Sequence, residues 1–178
     1  SSSDTEVRSV LAALTNKISE STDIMNSQNL GNALFGMQDM RCESIEVRKV
    51  LRALSKKISQ SDVTLDGQAI GNALYGLKNM QSSHLEVRQV LQKLSKKILD
   101  SKNTLNAQNI GNSLYGLQGM YSKHTEVRDV LGALSSKILE SKDMLRGQHI
   151  GNALYGLQKM SSSDTEVRSV LAALTNKI

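Results

Sequence analysis

The segment Gln148-His149-Ile150-Gly151-Asn152-Ala153-Leu154-Tyr155-Gly156-Leu157 decides how this chain is read. It returns as Gln28 to Met37, Gln68 to Leu77 and Gln108 to Leu117, each copy 40 residues from the next. Working outward from it, residues 1–40, 41–80, 81–120 and 121–160 align without gaps. Residues 161–178 begin a fifth copy and repeat residues 1–18 letter for letter. A fixed period with a truncated last unit is the mark of a solenoid, in which each unit buries its apolar face against its neighbours.

Composition supports helices. The 178 residues include no Pro and no Trp, and aromatic side chains make up 3% of the chain. Sandwiches and propellers draw on those residues for turns and cores, whereas continuous helices with short connections do not need them. No apolar run approaches the roughly 18 residues of a membrane span, and no signal-peptide pattern is present. A start at Ser1 without Met reads as an excerpt or a processed piece. Cys42 is the one cysteine, so it has no internal disulfide partner and no metal-ligand spacing, and an intracellular, reducing setting is expected. The net charge of +5 is uneven, −3 over residues 1–40 and +3, +3 and +2 over the next three units. That balance favours an acidic or phosphate-bearing partner over a basic one.

Each unit reads as two helices. The first carries an apolar stripe at spacings of three and four, Val7, Val10, Leu11, Leu14 and Ile18 in the first copy, then Val47, Val50, Leu51, Leu54 and Ile58. Ser3 with Glu6, and Ser83 with Glu86, match a capping box at its start. Residues 19–25 are polar and read as the turn. The second helix is shorter. Asn26, Asp66 and Asn106 suit its N-cap and Arg146 does not. Its inward stripe is Leu30, Ala33, Leu34 and Met37, or Ile150, Ala153, Leu154 and Leu157 in the last unit. Two internal glycines recur in every unit, such as Gly71 and Gly76, although each costs a helix about 1 kcal/mol relative to Ala. A cost repeated four times implies close helix approach. The closely spaced second helices then form the concave layer, with the first helices outside.

Away from that stripe, at about 100° per residue, lies a second set. It comprises Gln28, Asn32, Phe35 and Asp39; Gln68, Asn72, Tyr75 and Asn79; Gln108, Asn112, Tyr115 and Gly119; and Gln148, Asn152, Tyr155 and Lys159. Stacked units align these as rows of amides and rings. Amides can pair with base edges and rings can stack on bases, one group per unit, which is how helical repeats read single strands. The other reading is an amide ladder that pins one unit to the next with the rings as filler, and identical amides in all four units suit it. The outward stripe of the first helix varies instead: Ser9, Ala12, Asn16; Lys49, Arg52, Lys56; Gln89, Gln92, Lys96; Asp129, Gly132, Ser136. Arg8, Arg48, Arg88 and Arg128 flank the core stripe, as does Lys17 with its counterparts on the other side, and are placed for bridges between units in preference to phosphate contacts. His84 and His124 lie one unit apart, too far to share a metal, and His149 stands alone. There is no Ser-His-Asp set, no paired carboxylates, and the Gly-x-x-x-x-Gly lacks the Lys-Ser/Thr of a nucleotide loop. No enzyme, cofactor or small-molecule substrate is expected.

Residues such as Ala107-Gln108-Asn109-Ile110-Gly111-Asn112-Ser113-Leu114-Tyr115-Gly116-Leu117 resemble the second helix of the octotricopeptide-like repeats, over all four units. That family shows Gln, an apolar residue, Ala, Asn, Leu and an aromatic-Ala-Leu run. The resemblance implies an α-solenoid that binds RNA, usually in organelle gene expression. The expected fold is therefore all-α, a right-handed stack of four helical hairpins with a half-unit at 161–178. The expected function is single-stranded RNA binding along the Gln, Asn and ring rows. The alternative is a scaffold that binds protein or assembles end to end.

Overall fold

A computed structural model describes residues 2–178, with side chains from Thr5 onward. Among the described residues the chain forms nine helices and no strand: α1 (Ser2–Glu20), α2 (Ser27–Phe35), α3 (Ile45–Gln60), α4 (Gly67–Tyr75), α5 (Leu85–Asp100), α6 (Ala107–Tyr115), α7 (Thr125–Glu140), α8 (Gly147–Gly156) and α9 (Thr165–Thr175). The odd-numbered helices pack in order, α1 on α3, α3 on α5, α5 on α7 and α7 on α9. The even-numbered helices do the same, α2 on α4, α4 on α6 and α6 on α8. These neighbour contacts suit a helical repeat. None of the helices is long and apolar enough to cross a membrane.

The odd helices owe their packing to the stripe. In α3, Val47, Val50, Leu51, Leu54 and Ile58 are all buried, and the same places in α5 and α7 are buried too. Each such side chain contributes roughly 1.5–3 kcal/mol of transfer free energy. Between them, Leu65, Leu105, Ile70 and Ile110 join the even helices to the same core. The stripe is exposed at one place: Val7, Val10 and Leu14 of α1 face solvent, although Leu11 is buried. At the other end Leu154 of α8 is exposed, unlike Leu34, Leu74 and Leu114. Both departures have one physical cause, since neither helix has a neighbour on that side.

The helix starts divide as their side chains dictate. Asn26, Asp66 and Asn106 accept from the backbone N–H of Asn29, Ala69 and Asn109 at 2.8 Å each. Arg146 has no acceptor to offer, and His149 Nδ1 accepts from its backbone N–H at 3.2 Å instead. The expected Ser83 and Glu86 capping box does not form. The cap residue of α5 is His84, with no side-chain hydrogen bond to the helix. The loop before it is held from inside the helix, where Arg88 Nη1 donates to the carbonyls of Ser82 and Ser83 at 2.8 and 3.1 Å. Ser3 lies within α1, and its side chain is outside the described residues.

The even helices end sooner than the 3.6-residue pattern suggests. After Tyr75, residues 76–79 tighten into turns in which Leu77 N–H donates to Leu74 O and Met80 N–H to Leu77 O. Gly76, Gly116 and Gly156 stand at that point with ordinary helical backbone or close to it, so conformational freedom is not their purpose. A Cβ on Gly76 would land on the carbonyl of Leu34, and on Gly116 on that of Leu74. Backbone meets backbone here, and only hydrogen fits between.

Candidate nucleic-acid interface

The amide and ring rows sit on the even helices, the layer in which glycines meet the backbone of the neighbouring unit. Gln28, Gln68, Gln108 and Gln148 are exposed, as is Asn32, while Asn72, Asn112 and Asn152 are half-buried. Among the described residues, no hydrogen bond joins these amides from one unit to the next. The one pairing is within α6, where Gln108 Nε2 donates to Asn112 Oδ1 at 2.8 Å. The ladder reading is therefore corrected. The glutamines are exposed and the asparagines exposed or half-buried, so none is sealed from water as that ladder requires. A cavity of about 260 Å³ lined by Gln28, Asn32, Asp66, Gln68, Ala69 and Asn72 opens between the first two even helices.

The rings behave differently from bases' platforms. Phe35, Tyr75, Tyr115 and Tyr155 form one continuous stack, with centroids 5.7, 5.6 and 5.5 Å apart and planes inclined by 20–23°. Such offset stacks contribute about 0.5–1.5 kcal/mol per pair beyond area burial. Each interior face is thus taken by the next ring, so a base cannot enter between them. Ring edges and the tyrosine hydroxyls remain. The fourth expected member of the row is also displaced. Asn79 lies on the turn after α4, where its Nδ2 donates to Gln38 O at 2.9 Å, and Gly119 is packed on the carbonyl of Met80.

Charge is sparse along this row. Residues 26–40, 66–80, 106–120 and 146–160 contain Lys78, Arg146 and Lys159 against Asp39 and Asp66. Lys78 sits 4.7 Å from the Tyr75 centroid and 3.5 Å from Asp39. The cations gather on the odd helices. Arg52, Lys56 and Lys93 line an open cavity of about 450 Å³ with Gln60, Gln89 and Gln92. Lys93, Lys96 and Lys97 line another of about 300 Å³ with Asp62 and Asp100. Comparison with protein-family models, curated proteins and solved structures gives no match.

The arginines do bridge units, as their placement implies. Glu86 receives Arg52 Nη2 at 2.7 Å and lies 3.9 Å from Arg48 Nε; Glu126 lies 3.6 Å from Arg88. Arg128 reaches Glu166 at 4.0 Å. Burial pushes the Glu86 carboxyl up, but its backbone N–H and the two guanidinium groups outweigh that and hold it below the usual carboxylate range.

The lysines expected to bridge units do so, but onto a partner the sequence did not name, the backbone of a turn. Lys57, Lys97, Lys137 and Lys177 each reach back one unit to a turn carbonyl, those of Ser21, Ser61, Ser101 and Ser141. Lys97 also donates to Val63 O at 2.8 Å. The same turn is tied by Ser61 Oγ donating to Met25 O at 2.9 Å and Ser101 Oγ to Leu65 O at 2.6 Å. A Lys at one fixed place in every unit was the available signal. Cys42 plays a related part: its buried Sγ accepts from Gln81 N–H, as Ser82 and Ser122 Oγ accept from Tyr121 and Ser161 N–H. Burial pushes the Cys42 thiol up, away from thiolate chemistry.

Proposed function

We propose that the chain is a non-enzymatic α-solenoid of four 40-residue hairpins with a half-unit at 161–178, binding single-stranded RNA along the even helices. The observation that carries the reading is the register of the amides. In pairs such as Gln68 with Asn72 and Gln148 with Asn152 the glutamine is exposed and the asparagine half-exposed, and the adjoining rings repeat every 5.5–5.7 Å. One unit then serves one nucleotide of an extended strand, the pattern by which helical repeats read RNA. The close backbone contacts of the glycines support placing this layer on the inner side of the curve. The resemblance to octotricopeptide-like repeats points the same way. Amides hydrogen-bond the base edges, and the tyrosine hydroxyls, rather than their faces, complete the contact. Because few cations line the row, phosphate contacts contribute little, and the dependence on salt is shallow.

The test is fluorescence anisotropy with labelled homopolymer RNAs at low and high salt. Replacing Asn72→Ala together with Asn112→Ala should weaken binding by about tenfold or more, at about 1 kcal/mol per lost hydrogen bond, with unchanged helicity. Unaltered affinity, or no retention of any homopolymer at low salt, rejects this reading. A second reading, a scaffold that joins other proteins or its own copies, is favoured by the exposed apolar faces of α1 and α8.

A further inference from the structure

The same eighteen letters occur twice in this chain and meet two fates. In α9, Val167, Val170 and Leu174 are buried against the preceding units, at 3%, 0% and 5% exposure. In α1 the identical Val7, Val10 and Leu14 stand at 57%, 66% and 42%. The letters are shared, and residues 5–15 and 165–175 are helical in both, so the difference in burial follows from the neighbour. α9 fills on α7 the place that α1 is equally shaped to fill.

The even helices carry the complementary halves of one missing contact. At each interior boundary, the glycine at the helix end lies on a leucine carbonyl of the unit before, Gly76 on Leu34, Gly116 on Leu74 and Gly156 on Leu114. Gly36 meets only its own helix, and the carbonyl of Leu154 has no such glycine upon it. Likewise Gly31, Gly71 and Gly111 lie against Ala69, Asn109 and His149 of the unit after, and a Cβ on Gly151 would meet nothing. Asn29 occupies the corresponding place in α2. Tyr155 ends the ring stack and Phe35 begins it. Beside α2 opens a cavity of about 600 Å³ whose apolar lining includes Ile18, Ile24, Met25 and Ala33. Lys17 lines it too, and among the described residues it has no turn carbonyl to hold, unlike Lys57, Lys97, Lys137 and Lys177.

We propose that copies of this chain join head to tail, α1 of one copy replacing α9 on α7 of another while α2 seats on α8. Every contact of the joint then copies an interior boundary: Phe35 on Tyr155, Gly36 on the Leu154 carbonyl, Gly151 against Asn29, and Lys17 on the Ser141 carbonyl in place of Lys177. The occupant is a second copy of this chain because both halves of the contact are present on it and fit no symmetric pairing. A joint of this kind does not close on itself through two-fold symmetry, so it propagates. α9 acts as a built-in competitor, exchanged for a helix of the same sequence, and the added seating of α2 on α8 drives the exchange.

The experiment is sedimentation velocity on the full chain over a wide concentration range, with circular dichroism to check folding. The wild-type chain should grow in size with concentration. Val7→Asp with Val10→Asp alters side chains already in water, leaves the single copy folded, and should raise the concentration needed for joining by about tenfold or more. The same two changes at Val167 and Val170 loosen the competitor and should lower that concentration. Overturning results are a wild type and a V167D/V170D variant that both stay single at every concentration. A discrete dimer unaffected by V7D/V10D, the sign of a symmetric contact, overturns it equally.

Discussion

Four glycines at one place in the repeat offer a graded experiment. Substituting Ala for a helical Gly stabilises by about 1 kcal/mol where space is free, through propensity alone. Space is not equally free. A Cβ at Gly31 would come within 2.8 Å of Ala69 Cα, at Gly71 within 3.3 Å of Asn109 Cα, at Gly111 within 3.4 Å of His149 Cα, and at Gly151 it meets nothing within 4 Å. Backbone cannot step aside as a side chain can, so at Gly31 α2 and α4 must separate by more than half an ångström. Overpacking of that kind costs typically 1–3 kcal/mol. Gly151→Ala should therefore gain about 1 kcal/mol and Gly111→Ala some part of that. Gly71→Ala should be near neutral, and Gly31→Ala should lose about 1 kcal/mol net. Thermal unfolding followed by far-ultraviolet circular dichroism reads the series, with a 1 kcal/mol change moving the melting temperature by about 2–4 °C in a chain of this size. Equal shifts at all four positions, or a stabilised Gly31→Ala, would refute the argument that these residues are glycine to admit a neighbouring backbone.

Three further outcomes follow from the same contacts. Lys137→Met leaves the Ser101 carbonyl without its charged donor and should cost about 1.5–3 kcal/mol, whereas Lys17→Met should be close to neutral in the single copy; chemical denaturation compares them. Ser113 stands where Ala33, Ala73 and Ala153 stand in the other units, and its hydroxyl is buried without a partner, so Ser113→Ala should stabilise by about 1 kcal/mol in a thermal melt. Burial, with Arg88, Lys123 and Arg128 nearby, holds the His124 imidazole below its usual range, and Glu126 opposes this only in part. Its stabilising effect is full above pH 6.5 and is lost as the pH falls through the lowered value, so His124→Ser should flatten the stability profile on the acid side, read as melting temperature against pH.

Periodicity made the helices legible, because Val47, Val50, Leu51, Leu54 and Ile58 can share water-free space only on one face of a helix. The caps Asn26, Asp66 and Asn106 were legible for an equally local reason, a short oxygen placed three residues before an orphan N–H. What escaped the sequence was set by how the elements pack. Ser83 looked like a cap, yet Arg88 organises that loop from inside the helix. The tyrosines looked like platforms for bases, yet a spacing of 5.5–5.7 Å lets each ring take its neighbour's face. The Gln row came out exposed and the Asn row mostly half-buried, a property that depends on the angle each helix presents and not on the letters alone. The lysines were legible as bridges between units, but the turn carbonyl each one reaches is a fact of packing.

That reach has a direction. Lys57 holds Ser21, Lys97 holds Ser61 and Lys137 holds Ser101, always toward the amino terminus. A nascent chain leaving the ribosome therefore presents each new lysine to a carbonyl that has already emerged, and every joint can shut in the order of synthesis without waiting for what comes later.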